Sequence, residues 1–118
     1  MYLPQQRNTL DMVQRPTDYV PTIRRRLDAL DGSAYDSCLY NAGMDPHEGC
    51  PLGGLRGITA GVLAEREQVV FDWCRQHNLP VSFVLAGGYI GPTLDTAGLT
   101  DLHRLTLTAA SQMPLRTA

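Results

Sequence analysis

Six residues, Val81-Ser82-Phe83-Val84-Leu85-Ala86, stand between Pro80 and the pair Gly87-Gly88. They are apolar and partly β-branched, and they end at residues that break regular structure. Such a segment is a strand, the clearest in the sequence. The segment before it has another period. From Thr59, an N-cap residue, to about His77, the apolar side chains Val62, Leu63, Val69, Val70, Trp73 and Cys74 recur as one helical stripe. Asn78 suits the left-handed stop, and Pro80 prevents continuation. Upstream, Ser37-Cys38-Leu39-Tyr40-Asn41-Ala42 reads as a short buried strand ending at Gly43. Strand, helix and strand in this order make a parallel crossover, which is right-handed almost without exception.

The remaining chain fits around that unit. Tyr19, Ile23, Leu27 and Leu30 are spaced as one helix stripe within Thr17–Leu30, which Asp31-Gly32 closes. Pro21 is tolerable in a first turn. A last helix begins between Asp95 and Thr100 and aligns Leu99, Leu102, Leu105 and Ala109. Residues 1–16 show no sustained period and are expected to be loop or poorly ordered. The α/β core is expected over residues 17–118, as one domain of parallel sheet with flanking helices. A chain of 118 residues has room for one such domain.

Charge and cysteine content narrow the function. The net charge is −2, and Arg24-Arg25-Arg26 is the one basic cluster. It reads as a solvated helix face, so nucleic acid is not an expected direct partner. Cys38, Cys50 and Cys74 make an odd set with no CxxC spacing. That argues against a disulfide framework and points to a reducing compartment, with the cytoplasm as the default. No stretch has the apolar length of a signal peptide or a bilayer span.

Parallel sheets bind ligands beyond the carboxyl ends of their strands. Two loops meet that condition. One follows Ala42 and carries Asp45; the other follows Ala86 and carries Tyr89. On a parallel pair both open at one edge, so a carboxylate and a phenol converge there despite their distance in sequence.

The first of these loops, Asn41-Ala42-Gly43-Met44-Asp45-Pro46-His47-Glu48-Gly49-Cys50-Pro51-Leu52-Gly53-Gly54-Leu55, resembles the histone deacetylase loop that contributes the last zinc ligand. Leu85-Ala86-Gly87-Gly88-Tyr89 resembles the later glycine-rich loop holding the catalytic tyrosine of that family. Asn41-Ala42-Gly43 and Gly53-Gly54-Leu55 look closer to the bacterial and class IV branches than to class I. The resemblance spans roughly Tyr35 to Ala110.

It implies the C-terminal part of a three-layer fold of the arginase/deacetylase type. It also implies a zinc-dependent amidohydrolase acting on an acylated lysine or polyamine. Asp45 would be the metal ligand, and Tyr89 the donor to the developing oxyanion. Leu52, Gly87 and Gly88 would line the substrate channel. A catalytic zinc needs about three protein ligands. The family's Asp-x-His and His-His motifs lie upstream of this region, and the histidines here are His47, His77 and His103. The flanks of Asp45-Pro46-His47 match the later loop, so it is not read as the missing ligand pair, and His47 is placed at the pocket rim. Cys50 stands where the family usually has aspartate. The chain is therefore expected to be a truncated part, with an incomplete zinc ligand set and little turnover alone. The competing expectation is a non-catalytic α/β module that self-associates, or pairs with a missing N-terminal half, through an exposed sheet edge. A redox or metal role for Cys50 with His47 is a third reading.

Overall fold

The computed structural model describes residues 8–114. Its elements are α1 (Tyr19–Asp28), β1 (Cys38–Gly43), α2 (Ala60–Gln76), β2 (Val81–Ala86) and α3 (Thr96–Ser111), with short 3₁₀ turns at Pro16–Asp18 and Gly32–Ala34. Strands β1 and β2 run parallel, in register from Cys38 opposite Val81 to Gly43 opposite Ala86. Thr59 caps α2 by accepting the Val62 N–H at 3.3 Å. Asp95 does the same for α3, accepting the Gly98 N–H at 2.7 Å. Asn78 adopts a φ of +54°, the left-handed stop its position requires.

Helix α2 is the centre of the molecule. Phe71 makes edge-on ring contacts with Tyr40 of β1 and Phe83 of β2, which seats α2 on one face of the sheet. Both α1 and α3 pack on α2. The opposite sheet face carries no helix among the described residues, and Leu39 there is 77% exposed. Two layers of a small α/β unit are thus present.

The core has two parts. One joins Met44, Cys50, Ile58, Leu63, Leu94 and Leu102. Three of those six lie in the Gly- and Pro-rich loop between β1 and α2, so this loop is packed interior rather than loose connection. The other part is Trp73, Cys74 and Leu79, with Leu27, Cys38, Val81 and Met113 against them.

Three expectations need correction. Leu30 is exposed, because α1 ends at Asp28, two residues short of it. β1, expected as a buried strand, fully buries only Ala42, and Leu39 on the face away from α2 is exposed. The arginine cluster is an exposed helix face, as expected, and in addition Arg26 makes a two-point ion pair with Asp11 at 2.6 and 3.0 Å, with Arg25 3.6 Å from the same carboxylate. That pair ties residues before Arg15 to α1, and Arg26 holds the Asp11 carboxyl below its ordinary range. The buried stripe of α2 also includes Arg66, Glu67 and Phe71, two of them charged. Residues 1–7 of the expected N-terminal loop lie outside the described residues.

Cys74 gives a chemical test of the second core. Burial, and next the neighbouring Cys38 thiol, push the Cys74 thiol up to about 12. Only the thiolate alkylates readily. In the native protein near neutral pH, Cys74 is expected to resist iodoacetamide, and to react once urea unfolds the chain. Mass spectrometry of the labelled peptides reads this directly. The sign for stability follows. An unfolded thiol ionises near 9, so the contribution of Cys74 is whole below that pH and is lost as pH rises toward 12.

Candidate functional site

The parallel register sets the site. Gly43 and Ala86 are the last partners of β1 and β2, so the chain leaves both strands at the same edge. Asp45 stands two residues beyond one end and Tyr89 three beyond the other. The two turns meet through their backbones. The Gly88 N–H donates to Asp45 Oδ1. Gly87 and Gly88 have φ of +63° and +89°, and a Cβ on Gly87 would stand inside the Asp45 carboxylate. Gly87 is therefore required by the approach of backbone to Asp45 itself, and Gly88 by its own positive φ and by Leu99 and Met44, which fill the space a Cβ would need.

Cys50 makes the second connection between the turns. Its thiol donates to the Met44 carbonyl at 3.4 Å and accepts the Tyr89 N–H at 3.5 Å. It is only 5% exposed. A buried thiol with two local partners joins loops; it has no exposure for redox traffic. Nothing in the neighbouring sequence marks this role, which depends on the first core drawing the loop between β1 and α2 inward.

A cavity of about 330 Å³ opens beside Asp45, bordered by Tyr19, Asn41, Pro46, Arg66 and Gly87. The phenol of Tyr89 is not among its walls. Tyr89 is 47% exposed and Leu52 65% exposed, so the structure brings together Asp45, Gly87 and Gly88 but leaves the Tyr89 and Leu52 side chains at the surface. Imidazole Nδ1 of His47 accepts the Gly49 N–H at 3.0 Å, which commits that nitrogen to closing its own turn.

Sequence reasoning missed the charged pair below this cavity. Arg66 is 4% exposed and Glu67 is fully buried. Arg66 Nε donates to Glu67 Oε1 at 2.6 Å, and Nη1 donates to Tyr19 Oη at 3.1 Å and to the Gly43 carbonyl at 2.7 Å. Tyr40 donates its hydroxyl to the same Glu67 oxygen at 2.5 Å. The spacing Leu63, Arg66, Glu67, Val70, Cys74 places both charges in the middle of the apolar stripe, and that was the available clue.

Over 52 residues the chain is 38% identical to histone deacetylase 2 of Arabidopsis thaliana, a stretch covering 44% of this chain and 13% of that protein. It is similar to part of a histone deacetylase. Over 62 residues it is 39% identical to an uncharacterized protein of Picosynechococcus sp., covering 52% of this chain and 20% of that protein. The chain thus matches a fifth or less of the length of these curated relatives. No protein-family profile matches the chain, and no solved structure matches it.

The residues do not fit a resident zinc ion by themselves. A zinc site of the catalytic kind takes about three protein ligands. Among the described residues no three His, Cys, Asp or Glu side chains gather in a metal-holding group. Asp45 alone offers one carboxylate, with one of its oxygens already taking an N–H. Among the described residues, no helix is long and apolar enough to cross a membrane.

Proposed function

We propose that this chain is the C-terminal portion of a zinc-dependent deacetylase of the arginase/deacetylase type, releasing an acyl group from a lysine side chain or a polyamine. The observation that carries the reading is the Gly88 N–H seated on the Asp45 carboxylate at the carboxyl end of a parallel strand pair, with Tyr89 next in the chain. The partial likeness to a histone deacetylase supports it. On this reading Asp45 contributes one carboxylate to a metal whose other ligands come from outside residues 1–118. Tyr89 contributes a phenol for the oxyanion, with Leu52, Gly87 and Gly88 along the acyl-lysine channel. An exposed Tyr89 suits this role, since its ring would face material that this chain lacks. The single domain over 1–118 is then partial, and the third layer of the fold would cover the sheet face on which Leu39 is exposed.

The test joins this chain to an upstream deacetylase half that supplies Asp-x-His and His-His, and assays acetyl-lysine peptide with added zinc. The joined protein is expected to turn over and the separate chain to show none. In the joined protein, Tyr89→Phe should slow the chemical step on the order of a hundredfold or more, about 3 kcal/mol of lost oxyanion stabilisation. Asp45→Ala should abolish turnover. A folded but inactive fusion, or full activity with phenylalanine at 89, defeats the assignment. Robust turnover by the separate chain, abolished by Tyr89→Phe, would refute the reading of it as an incomplete portion.

The bare sheet face favours a second reading. Leu39 is 77% and Val84 48% exposed on it, an apolar surface suited to self-association or to pairing with another half. Sedimentation velocity separates the two: a monomer across the accessible concentration range removes the self-association reading.

A further inference from the structure

A buried arginine is costly unless its donors are all used. The partners of Arg66 show what its position achieves. Its Nη1 holds the carbonyl of Gly43, and the N–H of that same peptide group, on Met44, donates to the Ala86 carbonyl at 3.1 Å. The peptide plane immediately before Met44 and Asp45 is therefore gripped at both ends. One grip comes from β2 at the point where it enters Gly87-Gly88; the other comes from α2 through Arg66. The guanidinium has its own supports: Glu67 on Nε, Tyr19 on Nη1, and the Met44 sulfur 3.8 Å from Nη2. Its planar fork reaches three elements at once, which a single ammonium cannot do.

We propose that Arg66 is the positioning residue of the site: by fixing the Gly43–Met44 peptide plane it sets the direction in which β1 enters the Asp45 turn, and so keeps the Asp45 carboxylate on the Gly88 amide. Glu67 and Tyr19 hold Arg66 for that purpose. This deepens the deacetylase reading and rests on it for the importance of Asp45. The contact it predicts, however, belongs to the chain without metal or substrate.

The experiment follows backbone amide hydrogen exchange and amide proton resonances by NMR on the full chain. The variant is Arg66→Met combined with Glu67→Gln, which leaves no lone charge in the core. The Gly88 and Met44 amides are expected to exchange roughly tenfold faster or more relative to the wild type, and the Gly88 proton resonance to move away from its hydrogen-bonded position. Amides of α3 such as Leu102 and Thr106 should stay within about twofold. If that variant does not fold, Arg66→Lys keeps the charge without the fork and is expected to give the same local pattern. An unchanged Gly88 amide in a folded variant overturns the proposal. An increase at Gly88 equal to that across α3 overturns it as well, because it would show Arg66 acting on global stability alone. Neither result bears on the joined-protein assay, so a failure here and a failure of the deacetylase reading are distinguishable.

Discussion

Replacing Glu67 by alanine is expected to lower the unfolding free energy by about 3–5 kcal/mol, the cost of removing one partner from a buried ion pair. Domains of this size have only about 5–15 kcal/mol in total, so the variant should lie near the edge of folding. The change strips Arg66 of its 2.6 Å acceptor and leaves the Tyr40 hydroxyl without its own. Glu67 Oε2 has no partner among the described residues, so the side chain acts through its other oxygen. The double variant Arg66→Met with Glu67→Leu removes both charges and is expected to cost much less than Glu67→Ala alone, since nothing charged is then left buried. Urea denaturation midpoints for the singles and the double provide the comparison. Additive losses would show that the pair is not coupled. Burial, the largest influence on Tyr40, pushes its phenol above the ordinary tyrosine range and keeps it a donor. An unfolded phenol ionises near 10, so the Tyr40 contribution is complete below about pH 10 and disappears at higher pH.

Gly87→Ala is the second large effect. The φ of +63° alone costs a side-chain-bearing residue about 1–3 kcal/mol. At this position the new methyl also meets the Asp45 carboxylate, whose displacement breaks the Gly88 N–H contact. The expected result is a lower denaturation midpoint together with loss of protection at the Gly88 amide. Gly61→Ala is the control. In α2 its Cβ would meet only Thr59 Oγ1 at 3.7 Å, and the helix should gain about 0.5–1 kcal/mol. Equal effects at the two glycines would mean that the Gly87 turn is not built around Asp45.

Much of the site is legible in the sequence. The apolar run between Pro80 and Gly87 marked β2 to the residue, and Thr59 and Asn78 marked the limits of α2. Two parallel strands then required the turns after Gly43 and Ala86 to share an edge, which they do. The chemical roles of Asp45, Tyr89, Leu52, Gly87 and Gly88 rest on resemblance, and the exposed side chains of Leu52 and Tyr89 show why: at a surface, spacing carries no information about what a side chain will meet.

Local pattern therefore determined the elements, their order and the edge on which Asp45 and Tyr89 emerge, because period and breaker residues act over a few neighbouring positions. Tertiary structure alone decided that Cys50 would join the turns, that Gly88 would hold Asp45, and that Arg66 and Glu67 would be buried together. Each of these depends on partners far apart in the chain. A charge on an apolar stripe reveals its place only once the groups that satisfy it have been brought alongside.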